Sequence, residues 1–153
     1  MLYRFDAPFG TISYAWDGLR CDHIWLNART DAPGSHDDPV SAWLQHYFAA
    51  IQSKSPDMDT WLASNLPALA EPATPFQAGM RQALWDIPAG EVRTYGALAK
   101  VLGTAPRAMG QALGANPLPV LIPCHRVVAA NGLGGFACGL AWKKALLRLE
   151  GVG

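Results

Sequence analysis

Apolar and polar positions divide the chain into a strand-rich first half and a helix-rich second half. Residues 2–5, 10–16 and 19–26 read as short strands. Asp17-Gly18, between the last two, reads as a hairpin turn, because glycine accepts a positive φ. Residues 30–38 are polar, with Pro and Gly, and read as a loop. Val40, Trp43, Leu44, Tyr47, Phe48 and Ile51 then recur at helical spacing. Residues 53–73 carry three Pro and scattered acids and read as a linker or extended connection.

The second half opens with Thr74-Pro75-Phe76-Gln77. Thr suits an N-cap, Pro the first helical position, and Gln at N3 completes a capping box. That helix is expected to turn Phe76, Met80, Ala83 and Leu84 inward and to stop near Ile87-Pro88. Pro88-Ala89-Gly90-Glu91 reads as a turn and Val92-Arg93-Thr94 as a short extended piece. Thr94 can cap a helix over residues 95–102 that ends at Gly103. The turn Thr104-Ala105-Pro106 leads to another helix over 107–115, and the pair reads as a helix-turn-helix. Asn116-Pro117 ends it, since the residue before Pro is pushed out of the helical region. Asn131-Gly132 is a turn. Residues 134–139 are Gly-rich, but their spacing is not that of a nucleotide cradle. A last helix over 140–150 should turn Leu146 and Leu149 inward.

The expected fold is mixed α/β (α+β). A small antiparallel sheet with one helix occupies residues 1–73, and a mainly helical domain with a helix-turn-helix occupies 74–153.

Composition narrows the class. The 153 residues, half of them apolar, suffice for one domain of ordinary size, with or without a small appended lobe. No apolar run approaches the ~20 residues of a membrane helix, and the opening residues do not resemble a signal peptide. A cytoplasmic protein with no membrane association is expected. The three cysteines, Cys21, Cys124 and Cys138, are too few for a disulfide scaffold and fit a reducing compartment. The zero net charge hides an asymmetry of –5 over residues 1–73 and +5 over 74–153, so a polyanion would meet the second half.

The chemistry concentrates at Leu121-Ile122-Pro123-Cys124-His125-Arg126-Val127-Val128. Apolar flanks belong in a core, where unpaired ionisable groups are costly. Pro123 cannot donate to a strand ladder, so Cys124 is presented at a backbone break. A thiol must ionise to react. His125 could take the proton if that break turns its ring toward the sulfur, or through a bridging water. Glu150 is the best-placed acid to orient the histidine. By contrast, Cys21-x-His23 has no second close pair and reads as ordinary strand residues rather than a metal site. The helix after Arg107, Arg-Ala-Met-Gly-Gln-Ala-Leu-Gly-Ala, offers few groups that could read base edges. Its small residues suit close approach to a groove read by shape.

Thr74-Pro75-Phe76-Gln77, Ile87-Pro88-Ala89-Gly90-Glu91, Thr94-Tyr95-Gly96, Arg107-Ala108-Met109-Gly110, Asn116-Pro117 and Pro123-Cys124-His125-Arg126-Val127-Val128 together resemble the O6-alkylguanine-DNA alkyltransferases, the methylated-DNA–protein-cysteine methyltransferases. The resemblance is close over residues 74–151. The first lobe resembles the family's RNase H-like N-terminal domain only in its order of strands then helix.

The resemblance implies a monomer that binds double-stranded DNA in the minor groove and flips an O6-alkylguanine into a pocket. It implies irreversible, single-turnover transfer of the alkyl group to Cys124. His125 would deprotonate the thiol through a water, with Glu150 behind it, and Asn116 would hold the turn before the active-site segment. Tyr95 would donate toward the guanine ring nitrogen or the rotated phosphate, and Arg107 would fill the space the base leaves. Ala108 and Gly110 would suit the minor groove, and Thr94, Phe136 and Ala137 complete the contact set. No cofactor and no metal is implied.

Four departures stand out. The turn before Arg107 is about two residues shorter than the family's spacing. Phe136 stands where many members have Tyr, Ala137 where some have Ser, and Cys138 where Gly is usual; Cys138 is not expected to be the acceptor. The alternative on the same residues is an alkyltransferase-like protein that binds damage without transferring it, but such proteins lack the acceptor cysteine. A Cys-His hydrolase would need an oxyanion hole, which is not found in the sequence. A plain helix-turn-helix regulator would need base-reading side chains.

Overall fold

The computed structural model describes residues 1–26, 31–34, 36–53, 57–135 and 139–152, and of 51–53 only the backbone. The expectations for Phe136, Ala137, Cys138, the Ile51 side chain and part of the 30–38 loop lie outside the described residues. The chain divides into two compact units, Met1–Ala70 and Glu71–Gly153.

In the first unit, β1 (Leu2–Ala7), β2 (Gly10–Trp16) and β3 (Cys21–Leu26) form an antiparallel sheet in the order β1-β2-β3. Arg4 pairs with Ser13 and Tyr14 with Ile24. The turn after β2 forms at Asp17-Gly18: Gly18 has φ +93°, and Asp17 Oδ1 accepts from the amides of Leu19 and Arg20, both at 2.8 Å. Side chains of the central strand, Ile12 and Tyr14, are fully buried.

Helix α1 (Pro39–Ser53) turns Val40, Trp43, Leu44, Tyr47 and Phe48 inward, as its spacing predicts. Asp38 caps it by accepting from the Ser41 amide at 2.8 Å, and the same buried carboxylate accepts from the Tyr14 hydroxyl at 2.6 Å.

One expectation for this unit needs correction. Residues 53–73 are not a structureless connection, because Met58–Ser64 forms helix α2. Its apolar pair Trp61-Leu62 is the reason. Leu62 is buried, and its carbonyl accepts from Trp43 Nε1 of α1 at 2.9 Å, so packing outweighs the acidic, Pro-flanked context. Beyond it the chain does run extended. It pairs with Cys21 through Cys21 N to Ala68 O at 2.8 Å and Ala70 N to Cys21 O at 2.9 Å.

The second unit carries α3 (Pro75–Trp85), β4 (Arg93–Thr94), α4 (Tyr95–Leu102), α5 (Pro106–Gly114), β5 (Val127–Val128) and α6 (Leu140–Leu149). The caps read from the sequence form. Thr74 Oγ1 accepts from Gln77 N at 3.1 Å, and Gln77 Oε1 accepts in return from Ala73 N at 3.0 Å. Thr94 Oγ1 accepts from Ala97 N at 3.1 Å, and α4 ends at Gly103 with φ +68°. Such caps contribute about 1 kcal/mol each.

Met80 and Leu84 of α3, Leu98 of α4, Met109 and Leu113 of α5, and Trp142, Leu146 and Leu147 of α6 are buried. Phe76 and Ala83 are only half-buried, and Leu147 rather than Leu149 joins Leu146 in the interior. The short β4 and β5 pair in parallel, Arg93 with Val127 and Thr94 with Val128, which sets the start of α4 beside the segment that carries Cys124. Among the described residues no helix is long and apolar enough to cross a membrane.

Candidate active site

The apolar run before Cys124 does not enter as a strand. Residues 118–122 fold back on themselves, with Ile122 N donating to Leu118 O at 2.9 Å and Val120 at φ +74°. A β-branched residue in that region is strained, on the order of 1–3 kcal/mol, and persists only where the surroundings fix it. Asn116 supplies part of that fixation. Its Oδ1 accepts from Leu118 N at 3.0 Å and its Nδ2 donates to Ile122 O at 3.1 Å.

Pro123 then sits at φ –77° and ψ 64°, and Cys124 N donates across it to Ile122 O at 2.7 Å. That is an inverse γ-turn, a conformation proline's fixed φ favours. The break anticipated at Pro123 is this turn.

Residues Cys124–Arg126 form a single 3-10 turn. With about three residues per turn, successive side chains diverge by roughly 120°. Cys124 borders a cleft, while His125 and Arg126 reach a common partner behind it. That partner is Glu150, which caps the C-terminal end of α6 and is fully buried in its side chain.

Glu150 Oε2 lies 2.8 Å from His125 Nε2 and accepts from Arg126 Nη2 at 2.9 Å, and its Oε1 accepts from Arg126 Nε at 2.9 Å. Arg126 Nη1 donates to Ile87 O at 2.7 Å. Burial alone would raise the Glu150 carboxyl. His125 and Arg126 outweigh it and hold the group well below the usual carboxylate range. An ionised Glu150 accepts from a proton on His125 Nε2, and in the neutral ring this tautomer puts the lone pair on Nδ1. That Nδ1 is buried and has no hydrogen-bond partner. A base with its orienter in place therefore stands one residue from the thiol.

The cleft has a volume of about 660 Å³. Cys124, Tyr95, Arg107 and Gly110 border it together with Pro106, Leu113, Gly114 and Gly135. Tyr95 Oη donates to Gly135 O at 3.2 Å. A Cβ on Gly134 (φ +73°) would stand 2.6 Å from Tyr95 Cε2, so the loop passes under the ring only as glycine.

Of the other expected site residues, Asn116, His125 and Glu150 do not border the cleft. Ala108 is exposed beside Arg107 without bordering the cleft, and the Thr94 hydroxyl is engaged as a helix cap. Two groups at the site escaped the sequence reading. Arg126 clamps Glu150 through two parallel hydrogen bonds. Lys143 is fully buried and donates to Val127 O at 2.7 Å and Gly135 O at 3.0 Å. Its position three residues before Leu146, on the inward face of α6, is the signal that could have found it.

Cys21 belongs to the first unit. It is buried, and desolvation pushes its thiol up to about 12. His23 stacks on Trp25 at 4.2 Å, and among the described residues no cluster of metal-ligating side chains occurs.

Charge is distributed differently from the sequence count. Of the eight basic residues after position 73, Arg81, Arg126 and Lys143 are buried, which leaves Arg93, Lys100, Arg107, Lys144 and Arg148 at the surface.

Comparison with known proteins identifies the family of the chain. Residues 75–152 match the family model described as 6-O-methylguanine DNA methyltransferase, DNA binding domain. A methylated-DNA–protein-cysteine methyltransferase of Saccharolobus islandicus is 51% identical, with 97% of this chain and 93% of that protein aligned. The crystal structure of the O6-methylguanine-DNA methyltransferase of Pyrococcus kodakaraensis superposes with a TM-score of 0.74 at 30% identity, covering 99% of this chain and 100% of that one. The Mycobacterium tuberculosis OGT, solved in complex with DNA, gives a TM-score of 0.71 at 32% identity over 97% of this chain and 91% of its own. The chain belongs to the O6-methylguanine DNA methyltransferase family.

Proposed function

We propose that this protein repairs DNA by moving the alkyl group of O6-alkylguanine irreversibly onto Cys124, once per molecule. The observation that carries the reading is the thiol at the wall of a cleft bordered by Tyr95 and Arg107, beside a histidine whose buried Nδ1 is unpaired and whose Nε2 is held by Glu150.

The thiol proton passes to His125 Nδ1, through a water. The sulfur attacks the alkyl carbon, the S–C bond forms, and the C–O6 bond breaks with its electron pair on the guanine. Tyr95 turns from Gly135 O to donate a proton to the base and recovers one from His125, so guanine leaves neutral and the thioether remains. Glu150 stabilises the transient imidazolium. The thiolate supplies the nucleophile itself, so the reaction calls on no metal or cofactor.

α4 and α5 act as a helix-turn-helix on the minor groove of double-stranded DNA. Ala108 and Gly110 allow close approach, Thr94 lies at the flank, and Phe136 and Ala137 complete the proposed contact set. Arg107 enters the duplex where the base leaves, which offsets part of an unstacking cost of a few kcal/mol. The first unit is an RNase H-like lobe, and the protein works as a cytoplasmic monomer. Binding without transfer would have no use for the thiol.

The test is incubation with excess O6-methylguanine duplex, followed by intact mass and peptide mapping. One methyl per chain is expected, on Cys124, with Cys21 unmodified because its thiol titrates far above neutral pH. Continued product formation beyond one equivalent, or a methyl on another residue, refutes the reading.

Arg107→Ala is expected to slow repair of duplex DNA by roughly 10- to 100-fold, the loss of about 1.4–2.7 kcal/mol of flipping assistance. The rate with a free O6-alkylguanine base should stay near wild type. Equal losses on both substrates would remove Arg107 from this role.

A further inference from the structure

Lys143 is a fully buried cation that the transfer mechanism leaves without a task. Burying an ammonium is costly unless a negative group compensates it. Among the described residues no carboxylate lies within ion-pair distance of it, and Glu150 is already engaged by His125 and Arg126. Its Nζ holds two carbonyls instead, Val127 O and Gly135 O, and stands 5.8 Å over the Tyr95 ring.

Those anchors tie Lys143 to the surroundings of the thiol. Gly135 and Tyr95 border the same cleft as Cys124, and the Val127 amide donates to the Cys124 carbonyl. Burial lowers the Lys143 ammonium, and charge on the Cys124 sulfur raises it again.

We propose that Lys143 is the fixed cation that holds negative charge on the Cys124 sulfur, so that the thiol ionises at neutral pH while Lys143 keeps its proton. The inference rests on Cys124 being the alkyl acceptor. The other charged or titratable groups around the sulfur are His125 and Arg126 on its own turn, Tyr95 from α4, Arg107 from α5 and Glu150 at the end of α6. Arg126 and Glu150 form a pair, Arg107 is exposed to solvent, and His125 takes the proton. Lys143 is the buried cation left to face the thiolate.

The experiment is a thiolate titration by ultraviolet absorbance, with Cys124→Ser subtracted, on wild type, Lys143→Met and Lys143→Arg. The midpoint of Lys143→Met should lie at least about one pH unit higher, a tenfold smaller thiolate fraction below it. Its repair rate should fall about tenfold at neutral pH and recover as the pH rises, and Lys143→Arg should restore much of both. A folded Lys143→Met with the wild-type midpoint overturns the proposal.

If Lys143→Met does not fold, the wild-type protein decides the question. Coupling between charges is reciprocal, so converting Cys124 to its methyl thioether with methyl iodide should lower the Lys143 titration midpoint, followed by NMR of labelled lysine. An unchanged midpoint overturns the proposal. Neither titration uses DNA, so a protein that shows both shifts but repairs nothing would refute the proposed function and leave the role of Lys143 standing.

Discussion

Cys124→Ser is expected to bind O6-methylguanine duplex and to accept no methyl group. A thiol with an ordinary value near pKa ~8.5 is within reach of a neighbouring histidine, whereas a serine hydroxyl is not acidic enough to yield its anion at neutral pH. Cys124 is 6% exposed and borders the cleft, so the smaller oxygen leaves no enclosed void of consequence. Its stability should therefore stay within about 1 kcal/mol of wild type. Intact mass after incubation checks the first part and a gel-shift titration the second. A methylated Cys124→Ser protein would show that the acceptor is elsewhere, while lost binding would show that the thiol is needed to hold the base.

The largest loss of stability is expected from Glu150→Gln. In wild type one buried carboxylate serves both His125 and Arg126. The amide leaves the buried guanidinium without a counter-charge, and its NH₂ group faces either the His125 Nε2 proton or the Arg126 donors. Breaking a buried pair by removing one partner costs about 3–5 kcal/mol, which urea unfolding at pH 7 measures directly.

The pH dependence has a definite sign. Glu150 titrates lower in the folded protein than the ~4.3 of an unfolded glutamate, so its contribution is complete above that value and is lost as the pH falls. The stability gap between wild type and variant should be full above pH ~5 and close on acidification. Repair should slow by about 100-fold, because His125 loses both its tautomer and the partner of its imidazolium. Equal unfolding midpoints at pH 7 would mean that the cluster is not a stabilising unit.

Much of the fold was legible because its signals are local. The caps at Thr74 and Thr94 and the stop at Gly103 depend on neighbours within a few residues, and each forms where the sequence places it. The Cys-His-Arg triplet was legible as an anomaly, since ionisable groups in an apolar run demand partners. What escaped depends on distant contacts. Helix α2 exists because Leu62 finds α1. Lys143 looks like a surface residue until the inward face of α6 is counted around the helix. The charge asymmetry was read correctly as a sum, but three of the eight basic residues after position 73 are spent in the interior, which burial alone reveals. Glu150 is one of three acids after position 73, but its geometry with Arg126 leaves no signal in the sequence.

The carbonyl oxygen of Ile122 is a mechanical junction. It accepts from the Cys124 amide on one side and from the Asn116 side chain on the other, and Asn116 follows directly on the last turn of α5. Two short hydrogen bonds therefore make a lever whose long arm is α5 and whose short arm is the thiol. Through these two bonds the end of α5 and the turn that carries the thiol share one anchor, so the seating of that helix bears directly on where the nucleophile points.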